Sequence, residues 1–158
     1  MSGHLKGQFA SSAVFASLLY GMQYCAFGKR DQRCLDGFYL RLVKRIIHLP
    51  HNFHLSYPDA ERLMGVARPS LRLAKERLRW TGHALRSDDK VLAEVLTFIP
   101  EGGQRGRGRP RLRFFDTIKA DLKLRDIEVN ARRQAEFWPL LAARASDRKK
   151  WRSDVVNT

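Results

Sequence analysis

Two prolines and four glycines stand within the eleven residues from Pro100 to Pro110. Proline withholds the backbone N–H that a helix or a strand ladder needs, and glycine loses the most conformational freedom when it is ordered. The stretch therefore predicts a linker at 100–110, dividing the chain into an earlier part, 1–99, and a tail, 111–158. A run of charge shares the stretch. Arg105, Arg107, Arg109, Arg111 and Arg113 take alternate positions with no acid among them.

On both sides of the linker the apolar residues recur at helical spacing. Residues 7–20 predict a helix carrying Phe9, Val14, Phe15, Leu18 and Leu19, ended by Gly21. Residues 31–48 predict a strongly amphipathic one. Its stripe is Leu35, Phe38, Tyr39, Leu42 and Ile46, with Arg41, Lys44 and Arg45 off the stripe and Pro50 as the stop. Ser56, followed by Pro58 and Asp59, signals a helix start, and Gly65 its end. Ser70 is read as the cap of a long basic helix over 71–86, with Leu71, Ala74, Leu78 and Leu85 inward. Val91–Ile99 is a helix opened by Asp88 and Asp89, or a short strand on account of its β-branched residues. Phe114, Phe115, Ile118 and Leu122 predict a helix over about 111–123. The tail, 130–156, carries Phe137, Trp138, Leu140, Leu141 and Trp151 and is expected to break near Pro139. The class is mostly α: one or two small helical bundles with a Gly/Arg/Pro-rich linker before the C-terminal helices.

Of the 158 residues, 30 are Lys or Arg and 16 are Asp or Glu, for a net charge of +14. Such an excess favours polyanionic partners, nucleic acid before an anionic membrane surface. Hydrophobic residues at 44% argue against wholesale disorder. The stretch FASSAVFASLLYG (9–21) has the composition of a signal or presequence. It is too short to span a bilayer, and no Arg precedes Arg30, so a helix is the favoured reading. No transmembrane segment is expected elsewhere. Cys25 and Cys34 are too few for a disulfide scaffold. They are read as free thiols, buried or half-buried, in a reducing intracellular setting, nuclear or cytoplasmic.

No catalytic constellation stands out. A phosphate loop with Lys and a hydroxyl is missing, as is H-E-x-x-H. Asp88–Asp89 reads as a helix start rather than a two-metal site. His48, His51 and His54 flank Pro50 and do not match zinc spacing with cysteines nine residues apart. No cofactor, metal or small-molecule substrate is expected, and no enzymatic activity of the chain on its own.

The chemistry that does stand out is cationic. Arginine forms bidentate bonds to phosphate, and glycine lets a backbone follow a groove. Three readings of the run stay open: phosphate contact to RNA or DNA, a hook into an A·T-rich minor groove at Gly106–Pro110, or an inert solvated linker. The candidate nucleic-acid-binding set is Arg72, Lys75, Arg77, Arg79, His83 and Arg86 on the basic helix, with Arg105, Arg107, Arg109, Arg111 and Arg113 in the run. Trp80, within that helix, is assigned to the core with Trp138 and Trp151.

Five pieces follow one another along almost the whole chain: LLYG (Leu18–Gly21), LDGFYLRLVKRII (Leu35–Ile47), RLRWTGHALR (Arg77–Arg86), EGGQRGRGRPRLRFFD (Glu101–Asp116) and DRKKWR (Asp147–Arg152). In this order they resemble the C-terminal region of a non-LTR (LINE-type) retrotransposon reverse transcriptase, the endonuclease–reverse transcriptase kind. That family typically reads LLYG-x-E-T-W, L-R-x-I, R-L-x-W-x-G-H-x-x-R, G-x-R-x-x-G-R-P-x-x-R-W and D-R-x-x-W. Here Gln23-Tyr24-Cys25 stand where E-T-W is usual, and Phe114 where the Trp follows G-R-P. The departures suggest a diverged or decayed copy.

The resemblance implies a parent RNA-directed DNA polymerase. The Y-x-D-D carboxylates that hold its metal ions are not here, since YPDA (Tyr57–Ala60) has a single aspartate. The chain then corresponds to the thumb-like helices after the palm and the tail beyond, expected as a separately framed or truncated copy. What the resemblance implies for such a region is contact with backbone phosphates of RNA, DNA or a hybrid. An inert retroelement remnant and an independent minor-groove DNA-binding protein are the alternatives.

Overall fold

A computed structural model describes residues 2–98, 112–131 and 133–156. The linker expected at 100–110 lies outside these residues. Helices dominate, and no strand occurs among the described residues. The chain divides into two compact units, Met1–Leu73 and Ala74–Thr158. The divide falls inside one helix rather than at the Gly/Arg/Pro stretch, because helices before and after that stretch bury side chains in one core.

The first unit opens with α1 (Gly3–Ala10), a π-helical segment (Ser11–Phe15) and α2 (Ala16–Leu19). Gly21 (φ 74°) ends this run as its sequence predicts. α1 lies so close to α4 (Tyr57–Met64) that a Cβ on Gly7 would collide with the Met64 carbonyl. α3 (Lys29–Ile46) supplies the centre of the core with Leu35, Tyr39 and Val43, one turn apart. The Phe15 and Tyr39 rings meet at 5.9 Å, and the Tyr39 hydroxyl donates to the Val66 carbonyl at 3.1 Å. α3 stops four residues before Pro50. His48 takes the left-handed conformation (φ 58°), and the Leu49 N–H closes back on the Lys44 carbonyl at 2.9 Å. This is the usual glycine-type helix ending built on a histidine.

α4 starts as read: the Ser56 Oγ accepts from the Asp59 N–H, and Gly65 (φ 65°) ends it. α5 (Pro69–Arg86) starts one residue before the expected cap. Proline suits a first helical position, which leaves Ser70 inside the first turn. Its N–H and hydroxyl both donate to the Asp36 carboxylate of α3, at 3.2 and 2.7 Å. A carboxylate from another helix thus does what Ser70 was expected to do.

The second unit packs the rest of α5 with α6 (Lys90–Thr97), α7 (Phe114–Lys123), α8 (Gln134–Ala145) and α9 (Arg148–Val156). α6 is a helix, not a strand. The Asp89 carboxylate accepts from the Val91 N–H at 2.9 Å, and Leu96 is buried. Such a cap, with one buried anchor, outweighs the weak β-preference of Val91 and Val95. The core holds Leu78, Ile118, Leu122, Phe137, Trp138, Leu141, Trp151 and Val155. Phe115 meets Phe137 edge-on at 4.8 Å, and the half-buried Trp80 meets Phe114 edge-on at 5.8 Å.

Contrary to expectation, α8 does not break at Pro139. Proline forfeits one bond, to the Ala135 carbonyl, and both residues are exposed, so water can take that carbonyl. Cys25 and Cys34 are free, as read, but both are exposed rather than buried.

Candidate nucleic-acid interface

α5 has two faces within the second unit. Ala74, Leu78, Thr81, Gly82 and Ala84 are buried. Lys75, Arg79, His83 and Arg86 recur at intervals of four, four and three residues, which places them in one line along the opposite face. Arg79 keeps 69% of its side chain exposed, with Glu76 at 3.8 Å. His83 is exposed and Lys75 half-buried; among the described residues neither has a hydrogen-bond or ion-pair partner. Arg86 is half-buried and donates to the Ala145 carbonyl at the end of α8, at 2.8 Å. Its pKa is lowered by burial and then by the positive charge of Arg148.

Arg77 does not belong to that line. Its side chain is 1% exposed, and Nε and Nη2 donate to the two Asp121 oxygens at 2.6 and 2.9 Å. This guanidinium ties α5 to α7 inside the core and cannot reach a phosphate. Burial pushes the Asp121 carboxyl up, and the Arg77 hydrogen bonds and charge oppose that shift. The spacing holds a partial signal for this pair. Arg77 lies three residues after Ala74 and one before Leu78, on the buried stripe, and Asp121 lies three after Ile118. Two opposite charges, each on an apolar face, are the sequence signature of a buried pair.

Arg72 belongs to the first unit, where it is half-buried. Its Nη1 donates to the Ser11 carbonyl at 3.1 Å and the Ser11 hydroxyl at 2.6 Å. Its first task is to hold the start of the π-helical segment. Arg113 is half-buried at the start of α7, where its N–H donates to the Asp116 carboxylate at 3.1 Å. Arg105, Arg107, Arg109 and Arg111 lie outside the described residues.

α9 carries further cations, outside the candidate set. Arg148, Lys149, Lys150 and Arg152 are all exposed, while Trp151 between them is 2% exposed. The Asp147 carboxylate caps the helix by accepting from the N–H groups of Lys149 and Lys150, at 2.9 and 3.0 Å. The Trp151 indole lies over Gly82, so close that a Cβ there would overlap its Nε1. Four cations around one buried tryptophan was the available signal: the tryptophan must face inward, so its charged neighbours face out.

The histidines expected in a loop, His48, His51 and His54, are exposed, and no group of metal-ligating side chains occurs among the described residues. No helix among them is long and apolar enough to cross a membrane. Comparison of the chain with protein-family models, curated proteins and solved structures finds no match.

Proposed function

We propose that this chain binds nucleic acid, RNA, DNA or a hybrid, through backbone phosphates, as a non-catalytic segment of a non-LTR retrotransposon reverse transcriptase. The observation that carries the binding is the cationic line Lys75, Arg79, His83 and Arg86, on the face of α5 opposite its buried residues. A helix rooted in a core by one face holds the charges of the other in fixed relative positions. Such an array grips a regular row of phosphates and reads no bases. The α9 cations add charge in the same unit, and the net charge of +14 supplies attraction at longer range. The retroelement origin rests on the order of the five sequence pieces.

Labelled DNA duplex, RNA–DNA hybrid and single strands, titrated with the purified chain across a salt series, test this reading. Binding should be shared among sequences and fall linearly in log–log form, with a slope near 0.9 per phosphate neutralised on duplex DNA. Replacing Lys75, Arg79 and Arg86 with Gln should remove about three phosphates from that slope. Replacing Arg105, Arg107, Arg109 and Arg111 measures the run's share in the same way. Absence of binding at low salt, or a slope unmoved by the helix variants, refutes the proposal. Displacement by a minor-groove dye would point to the hook instead.

A further inference from the structure

Arg86 closes α5 and Arg148 opens α9. Two contacts of the second unit hold these ends together. The Arg86 guanidinium donates to the Ala145 carbonyl, three residues before Arg148, and the Trp151 indole, one turn after Arg148, lies over Gly82, one turn before Arg86. Like charges are thus brought to one corner by packing rather than by attraction. Their mutual influence is felt in the lowered pKa of Arg86, where Arg148 acts after burial. Among the described residues neither guanidinium meets a carboxylate, whereas other arginines of the unit do: Arg77 on Asp121, Arg79 near Glu76 and Arg144 on Asp154. One of the Arg86 donors is committed to a carbonyl, which restrains the side chain and leaves the remaining donors for another acceptor.

Two cations at one corner, neither of them paired with a carboxylate, are the complement of a doubly charged oxyanion or of a phosphodiester bridging both. We infer that Arg86 and Arg148 form a seat for one backbone phosphate, the anchor from which bound nucleic acid runs along α5. The inference rests on the proposed function for the identity of the ligand, but the seat itself can be tested with inorganic phosphate.

The variants are Arg148→Gln, whose side chain is exposed, and Lys149→Gln as a control of equal charge on the same helix turn. Arg148→Lys keeps the charge and loses the fork. Inorganic phosphate should raise the melting temperature of the full chain above sodium chloride at equal ionic strength. Arg148→Gln should abolish that rise, Arg148→Lys weaken it, and Lys149→Gln leave it. With duplex DNA, Arg148→Gln should weaken binding roughly tenfold and lower the salt slope by about one phosphate, against about threefold or less for Lys149→Gln. If phosphate acts no differently from chloride, or if both Gln variants lose the same amount, the seat is refuted even where nucleic acid binds. If phosphate protects through Arg148 and no nucleic acid binds, the seat stands and the nucleic-acid reading falls.

Discussion

A guanidinium inside a core is tolerated where its charge is paired, and at Arg77 the two Asp121 oxygens accept from Nε and Nη2. Removing one partner strands the other's charge. Arg77→Met or Asp121→Leu alone should each cost about 3–5 kcal/mol, while the double variant should recover most of the loss. Denaturant unfolding of the four proteins checks this; additive losses would mean that the two side chains do not act as a pair. Tyr39 makes a separate prediction. Burial above all, and the Glu61 charge after it, push its phenol up from 10.0 to about 12, with Arg68 pulling the other way. The fold holds this proton more tightly than the unfolded chain does. Stability is therefore intact below pH 10 and declines as pH rises toward 12, by on the order of 2–3 kcal/mol in all. Tyr39→Phe should be slightly less stable at neutral pH, for want of the bond to Val66, yet lose less stability between pH 10 and 12. Parallel declines in circular dichroism for the two proteins would exclude Tyr39 as the cause.

At the scale of the element, α5 shows where helix propensity misleads. Gly82 in its last turn reads as a weakness worth about 1 kcal/mol against alanine. The close approach of the Trp151 indole reverses the sign. Gly82→Ala should destabilise by about 1–3 kcal/mol through overpacking, and an added Trp151→Leu should make the alanine cheaper than it is alone. Thermal unfolding of the single and double variants decides it; a stabilised Gly82→Ala would mean that the indole moves aside freely. The existence of α3, α4, α5 and α7 was legible because an apolar stripe acts within one element, joined at α4 by a local cap. What was not legible came from partners distant in sequence. The N-terminal turn of α5 is satisfied by Asp36, which no local pattern announces. Arg77 has the same charge as the exposed cations of its helix, and its burial is set by Asp121, 44 residues on. α8 continues through Pro139 because the orphaned carbonyl is exposed, and exposure is a tertiary property. For the candidate site, the α5 cations were legible from the sequence; the α9 cations were legible too, since a core Trp151 turns its charged neighbours outward, but they lie outside the candidate set.

Over the whole molecule, +14 net charge repels itself in the compact state. Added sodium chloride screens that repulsion, so the melting temperature should climb between about 50 and 500 mM, where the Debye length shrinks from above 10 Å toward a few Å. Nucleic-acid affinity should fall over the same range. A melting temperature that falls with salt would show that attractive pairs such as Arg144–Asp154 outweigh the repulsion. The two units also differ in kind. All three tryptophans, Trp80, Trp138 and Trp151, belong to 74–158, and all four tyrosines, Tyr20, Tyr24, Tyr39 and Tyr57, to 1–73. The chain thereby carries two natural spectroscopic labels. Indole emission, excited above the tyrosine band, reports the unit that holds the cationic line, while phenolate absorbance reports the unit that holds Tyr39, and each can be followed in the intact protein without attaching a dye.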